Sequence, residues 1–496
     1  MITFDFEKAE IHFLDLFGPP AQHISRLSFH SKQISYSAAF FSIVGEDHDG
    51  HGYIEEAIQR GAKTIIGTDL SVLRKLSAMY QHCTFLAVEN VRKAMAQMAK
   101  IFYEHADASL KTIGVTGTNG KTTVAAYTRS LLTLLGLPSG SIGTTGIWSS
   151  KQKLNYKKST PTTPESIDLH RIFQDLYNRG DKAAAMEVSS IALDQLRVEG
   201  ITFDVAIHTN LSEEHLEYHK TFENYKQCKL KLFHQAKHAV VNLDDHEMGK
   251  MLSHTFNGPA YTYAIHNELA DLLAKDITYS EKGTSFQLLF NGYPYQASAP
   301  IFGEYNVCNL LAAICTALHL GFQMEEITAV LPYLEGPEGR FEVLEGPEQR
   351  RIILDYAHTP VALTRLVEEV KKLSYNRLIV MIAGIGIRDF NKMPKMAAAI
   401  EGKADEIVVT VDHPGYHDPK LIIDQVKKGF NNPNAVNIHQ TLTREIGVIK
   451  ALNLAGPNDI ILLTSGCING AQIVKGQEVP HSDEAIIQEY FALNPA

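Results

Sequence analysis

Residues 112–124, TIGVTGTNGKTTV, run from an apolar strand through three glycines into a lysine, two threonines and a helix-forming stretch. A strand that stops in glycines ahead of a helix presents backbone N–H groups and a helix N-terminus to an anion. Lys121 at the helix start would reach the β/γ-phosphates of a nucleotide, and the Thr122 hydroxyl would bind magnesium. A plain Gly/Asn turn is the alternative, and the lysine and threonines weigh against it. The common phosphate loop has glycine six residues before its lysine. Here that place is Val115, with glycines at Gly114 and Gly117 instead.

Strand-length apolar runs and helical stretches alternate along the chain, which predicts an α/β fold. With 496 residues, three domains are expected. The first, 1–108, holds AAFFSIVG (38–45) as a strand, YIEEAIQRGA as a helix and KTIIGT as a further strand. The second, 109–334, carries the glycine loop and strand candidates at 183–190, 203–210 and 238–243. An Asn-Gly between two alternating runs predicts a hairpin near its end. In the third, 335–496, RIILDYA, RLIVMIAG, DEIVVTVD and DIILLTSG are separated by amphipathic helices, the pattern of a Rossmann-like doubly wound sheet. Ligands of such a sheet sit beyond the strand ends, where AGIGIRD, VDHPGYHD and TSGCINGAQ fall.

Charge and cysteine content narrow the function classes. The net charge of −10 without a basic cluster argues against nucleic acid and anionic membranes as partners. Apolar runs stay well short of the roughly 20 residues of a membrane helix. The opening residues carry acids and lack a basic-then-apolar leader. Five cysteines form no C-x-x-C pair, which speaks against a zinc site or a disulfide framework. A cytoplasmic monomer acting on small molecules is expected.

Motifs spread over nearly the whole chain carry a resemblance. TGTNGKTT (116–123), MEVSS (186–190), HTNLSEEHLEYH (208–219) and YKQCKLKLF (225–233) recur in order, followed by GEYNVCNLLAA (303–313), EGRFE (338–342) and LDYAHTP (354–360). Together they resemble the Mur ligase family, whose glycine spacing departs from the common loop in this same way. Glu214 stands where that family has aspartate. Residues 27–62 and STPTTPES (159–166) resemble the MurE type, the tripeptide synthetases, with Lys32 after Ser31 in place of arginine. Folate polyglutamate synthetases share the chemistry without this first domain.

The resemblance implies a small α/β UDP-binding domain, a central P-loop-type ATPase domain with a mainly parallel sheet, and a C-terminal Rossmann-like domain holding the amino acid. It implies an ATP-dependent amide ligase that adds an amino acid to UDP-N-acetylmuramoyl-L-alanyl-D-glutamate through an acyl phosphate, in peptidoglycan precursor synthesis. Catalytic roles fall on Lys121, Glu187, His215 and Lys229. Thr122, Glu187, His215 and Lys229 would hold Mg²⁺, with Lys229 carrying CO₂ as a carbamate. ATP would be bound by Thr116, Gly117, Thr118, Asn119, Gly120, Lys121, Thr122, Asn309, Arg340 and Asp355. Ser31, Thr162, Thr163, Ser189, Gln195 and Arg197 match contacts to the UDP-muramoyl dipeptide. Plainer readings stand beside several of these. Asn309 could pack within its helix, Arg340 could form a linker salt bridge, and Arg197 could be a surface arginine. Cys228 is read as structural, lacking a histidine partner.

The acceptor pocket departs from the diaminopimelate-adding pattern. Arg388 is retained, but DHPG (Asp412, His413, Pro414, Gly415) replaces D-N-P-R, and Asn469 and Cys467 replace a glutamate and a glycine. Loss of both charged partners predicts an L-amino acid other than diaminopimelate, lysine first and a smaller or neutral one second. His417 and Asp418 are the polar groups nearby. Two other functions remain open at this point: a ligase of the same fold acting on a folate- or polyglutamate-like carboxylate, and a catalytically retired nucleotide-binding protein.

Overall fold

The computed structural model describes residues 2–9, 11–45, 48–156, 160–280, 282–465 and 470–494. The chain divides into two compact units, one of Met1–Asp271 with Ala312–Phe322, the other of Leu272–Leu311 with Gln323–Ala496.

The first unit opens with a five-stranded sheet: β1 (Asp15–Phe17), β2 (Arg26–Ser28), β3 (Ala38–Phe41), β4 (Ala62–Gly67) and β5 (Thr84–Ala87). Their order is β1-β5-β4-β3-β2, parallel except for β1 at the edge. Helices α1 (Ile54–Gln59) and α2 (Leu70–Met79) connect β3 to β4 and β4 to β5, and α3 (Val91–Phe102) follows β5. The side chains of Asp69 and Asn90 accept two backbone N–H bonds each at the starts of α2 and α3, which satisfies orphan donors there.

A second sheet follows in the same unit. Its parallel strands are β6 (Lys111–Thr116), β7 (Ser139–Gly143), β8 (Ala183–Glu187), β9 (Phe203–His208), β10 (Ala236–Asn242) and β11 (Ala260–Ala264), in the order β7-β8-β6-β9-β10-β11. Helices α4 (Lys121–Leu134), α5 (Ser166–Asn178) and α6 (Phe222–Leu230) lie between them in sequence. Strand β9 is buried at every position and β8 likewise, which is why both are mainly apolar. Each fully buried Ile, Val or Phe in such a strand contributes about 1.5–3 kcal/mol.

The second unit holds the predicted hairpin. Strands β12 (Leu272–Ser280), β13 (Gly283–Phe290) and β14 (Tyr293–Ala299) run antiparallel. Asn291 and Gly292 turn β13 into β14 with φ of 50° and 80°, the pair of positive values a two-residue turn demands. The doubly wound sheet comprises β15 (Arg340–Glu345), β16 (Arg351–Asp355), β17 (Leu378–Ile385), β18 (Glu406–Asp412), β19 (Ile438–Gln440) and β20 (Ile460–Thr464). Its order is β15-β16-β20-β17-β18-β19, with only β15 antiparallel. Thr359, Asp418, Thr443 and Ser482 cap the helices α7 (Pro360–Val370), α8 (Pro419–Lys427), α9 (Arg444–Leu454) and α10 (Asp483–Leu493). Proline opens two of these, its fixed φ suiting the first helical position.

Candidate active site

The off-register loop has a structural reason. Val115 is still a ladder residue, paired with Glu187 on β8 and Ile207 on β9. The chain leaves the sheet one residue later, so glycine is needed at 117. There φ is +149°, and a Cβ would lie 1.9 Å from Thr209 Oγ1. Gly120 has φ +87° and opens α4, whose first-turn N–H groups have no intrahelical acceptor.

The loop is held by the segment after β9. Asn210 O accepts from Thr118 N at 2.8 Å, and its side-chain oxygen accepts from Asn119 N at 2.9 Å. Thr209 Oγ1 and Asn210 Nδ2 donate to Asn119 O, and Thr118 Oγ1 accepts from Ser212 N. Thr209 and Asn210 belong to the quoted HTNL motif, yet sequence reading gave them no role. They are the loop's frame.

Two lysine amines converge on Gly117 O: Lys121 Nζ at 2.8 Å and Lys229 Nζ at 2.7 Å. Lys121 also donates to Thr118 O. Lys229 is 1% exposed on α6 and lies 4.5 Å from the centroid of the Tyr225 ring. Burial first, and then the positive charge of Lys121, hold its amine well below the usual lysine range. Helix α6 turns the Lys229 side chain under the loop, away from solvent.

Glu187 ends β8 beside Val115 and is 1% exposed. Its carboxylate accepts from Thr144 N at 2.6 Å and Thr144 Oγ1 at 3.2 Å. Among the described residues no cation pairs with it. A buried carboxylate fed only by neutral donors is the setting a hard cation completes. Nothing in the sequence singled out Thr144. Thr122 is buried at the start of α4. His215 is half-exposed, with φ +56°, and its nearest charges are Glu217 at 3.5 Å and Glu214 at 3.9 Å. Its ring and Lys229 both neighbour Tyr225. No group of three or more His, Cys, Asp or Glu side chains gathers as a metal cluster among the described residues. The expected magnesium set has only two such residues, which suits an ion that takes few protein ligands.

The residues expected at the dipeptide come together next to Glu187. Thr163 Oγ1 donates to Glu187 O and accepts from Ser189 N, and Thr162 Oγ1 lies 3.4 Å from Thr144 Oγ1. Arg197 donates to Thr163 O at 2.9 Å and to Gln195 Oε1 at 2.6 Å. It is largely buried, not a surface arginine. Ser31 stands apart from this group in the first sheet's layer, donating to Glu56.

In the second unit Arg340 stacks over Tyr356, 5.1 Å from its centroid, and pairs in register with Asp355. Asp355 accepts from Phe341 N and Ala357 N, and burial raises its pKa against the pull of Arg340. Asn309 Nδ2 reaches Asn306 of its own helix at 3.4 Å. At the acceptor end, Arg388 is exposed after β17. Asp412 is buried at the end of β18. Its Oδ1 accepts from Gln472 Nε2 at 2.7 Å and from His413 N at 2.9 Å, and its Oδ2 is buried 3.8 Å from His413 Nε2 with no hydrogen bond among the described residues. His413 Nδ1 accepts from Ile473 N, and Pro414 follows it. Gly415 has φ +61°, donates to Ile473 O and accepts from Lys475 N. Cys467 and Asn469 lie outside the described residues.

Comparison with known proteins matches three segments of the chain. Residues 23–103 match the Mur ligase family catalytic domain, 115–317 the Mur ligase middle domain, and 339–467 the Mur ligase glutamate ligase domain. A Clostridium acetobutylicum protein named UDP-N-acetylmuramoyl-L-alanyl-D-glutamate--2,6-diaminopimelate ligase 2 is 33% identical over 490 residues, 98% of each chain. The chain belongs to the Mur ligase family. A second relative, UDP-N-acetylmuramyl-tripeptide synthetase 2 of Oceanobacillus iheyensis, is 35% identical over 94% of each chain. The solved structure of a UDP-N-acetylmuramoyl-L-alanyl-D-glutamate--2,6-diaminopimelate ligase superposes with a TM-score of 0.70 at 27% identity, covering all of both chains. This Mur ligase is of the MurE type, an ATP-dependent amide ligase of peptidoglycan synthesis with the three-domain α/β architecture. The folate-type and retired-enzyme readings fall. No helix among its described residues is long and apolar enough to cross a membrane.

Proposed function

We propose that this Mur ligase joins an L-amino acid to the D-glutamyl carboxylate of UDP-N-acetylmuramoyl-L-alanyl-D-glutamate, as a cytoplasmic monomer. Residues 1–108 take the uridine nucleotide, 109–334 the ATP and the dipeptide, and 335–496 the amino acid. The observation that carries the reading is the convergence of Lys121 and Lys229 on the Gly117 carbonyl of the phosphate loop.

A carboxylate is a poor electrophile. Transfer of the γ-phosphoryl group of ATP to the D-glutamyl carboxylate makes an acyl phosphate, the incoming amine attacks its carbonyl carbon, and inorganic phosphate departs. Such transfer depends on positioning and charge neutralisation. Lys121 and the loop residues Thr116–Gly120 would hold the phosphates. Asn309, Arg340 and Asp355 contribute nucleotide contacts to adenine, phosphate and ribose. Ser31, Thr162, Thr163, Ser189, Gln195 and Arg197 would hold the UDP-muramoyl dipeptide. Magnesium, when bound, neutralises phosphate charge. Thr122, Glu187, His215 and Lys229 are the residues that would hold it. Low basicity suits Lys229 for this, because only a neutral amine adds to CO₂, losing a proton as the carbamate forms. That addition turns a neutral amine into an anionic oxygen ligand.

For the acceptor, the reading is an L-amino acid without a distal carboxylate, lysine first. Arg388 would clamp the α-carboxylate. Gly415 cannot supply a cation to a distal carboxylate. The buried Asp412 Oδ2, which lies 3.8 Å from His413 Nε2 and has no hydrogen bond among the described residues, complements an ammonium group. Diaminopimelate is the second reading, favoured by the names of the relatives. Purified enzyme given the UDP-dipeptide, ATP and equal concentrations of meso-diaminopimelate, lysine, ornithine and neutral amino acids separates them. Preferential incorporation of diaminopimelate overturns the first reading.

A further inference from the structure

Glu165 closes the TTPE segment and has no part in the chemistry above. It is the N-cap residue of α5, yet its side chain makes no capping bond, although a short polar group there ordinarily satisfies the helix. The carboxylate is instead drawn out between two guanidiniums. Oε2 accepts from Arg92 Nη1 at 2.9 Å, and Oε1 lies 3.2 Å from Arg197 Nε. All three side chains are largely buried, Glu165 at 8% exposure, Arg197 at 12% and Arg92 at 26%.

The partners come from different layers. Arg92 sits in the first turn of α3, beside the five-stranded sheet, where the helix dipole disfavours a cation. Arg197 sits against Thr163 and Gln195. The same face of α3 makes further contacts with this region. Lys93 lies 4.0 Å from Glu199, Lys100 donates to Gly200 O at 2.7 Å, and Ile167 of α5 joins the core formed by Met95, Met98 and Ala99. Burial and the nearby Arg92 act against the charge of Arg197, and Glu165 opposes them. One carboxylate thus lies between two arginines, hydrogen-bonded to Arg92 and ion-paired with Arg197, whose own hydrogen bonds go to Gln195 and Thr163.

We infer that Glu165 is a positioning residue that sets the Arg197 guanidinium against the anionic UDP-muramoyl peptide and ties it, through Arg92, to the layer carrying Ser31. The inference rests on the assignment of Arg197 to that substrate. Arg197 then presents a preset charge, so substrate binding does not have to order it, and the effect falls on substrate affinity.

Steady-state kinetics of Glu165→Gln, Arg92→Met, the double variant and Arg197→Met test it. Expected are a rise of about tenfold in KM for the UDP-dipeptide in Glu165→Gln, with KM for ATP and the melting temperature near wild type. The double variant should be no worse than Glu165→Gln alone, because both remove one linkage. An unchanged KM for the UDP-dipeptide in Glu165→Gln, beside a raised one in Arg197→Met, overturns the positioning role and leaves the assignment of Arg197 standing. An Arg197→Met enzyme with wild-type KM removes that assignment and the inference with it. Equal losses in both substrates' KM together with a lowered melting temperature mark a structural role and overturn it as well.

Discussion

A lysine amine that has lost its water is a different reagent from one on a surface. Lys229 sits under the loop with Tyr225 on one side and the charge of Lys121 on another, and both burial and like charge favour the neutral amine. Lys229→Ala is expected to lower ligation to near background, with partial rescue by bicarbonate or a short carboxylic acid that restores an oxygen ligand. Near wild-type turnover of the alanine variant would sink the carbamate role. Gly415 makes a second residue-scale case. Its left-handed φ costs any other residue about 1 kcal/mol, and a Cβ there would lie 2.9 Å from Ile387 Cγ2. Gly415→Arg alone should therefore depress turnover with every acceptor. Combined with Ile387→Ala, it should shift the ratio of diaminopimelate to lysine incorporation upward at least tenfold. An unchanged ratio in competition assays would exclude position 415 as a selector.

At the scale of the element, α5 buries a histidine that has no hydrogen-bond partner among the described residues. His170 is 1% exposed, and neither ring nitrogen is bonded there. Asp107 lies 3.8 Å away and favours the imidazolium, but Lys100 at 3.2 Å from Asp107 offsets it. Burial wins and lowers the pKa from 6.5 to about 4. Between those values the unfolded chain binds the proton and the folded one does not, so acid favours unfolding. The stability is fully present above about pH 6.5 and is lost progressively down to about pH 4, a loss of about 3 kcal/mol. His170→Leu should remove most of that loss, measured by denaturant unfolding at pH 7 and near pH 4.5. Identical acid sensitivity in the variant would refute the assignment. The loop between β6 and α4 teaches a related lesson. Its glycines look like a phosphate motif in the sequence, but the place of Gly117 is set by Thr209 and Asn210, which occupy the space a Cβ would need.

Across the whole molecule, two compact units carry separate cores. In the second, Arg444 is fully buried and binds Asp483 at 2.6 Å while donating to Thr464 O and Ser465 O. This joins α9, the end of β20 and the start of α10. Arg444 and His481 hold the Asp483 carboxyl far below the usual range. Removing one partner leaves an uncompensated charge, a cost of about 3–5 kcal/mol. Asp483→Asn should therefore lower one calorimetric unfolding transition by several degrees and spare the other. Equal shifts of both transitions would mean that the units do not unfold separately.

The sequence by itself determined the order of elements and the class of chemistry. Apolar runs of strand length and the Asn291-Gly292 turn act through neighbours a few residues away, so a linear reading finds them. Glycines and lysine on one short loop are likewise contiguous. Tertiary structure decided the electrostatic state of Lys229, the grip of Thr144 on Glu187, the frame that Asn210 gives the loop and the linkage of Arg92 to Arg197 through Glu165. Each of these joins residues tens of positions apart, and charge, burial and hydrogen bonding depend on distance in space. Spacing along the chain carries no record of which side chains lose their water, and that loss sets what they can do.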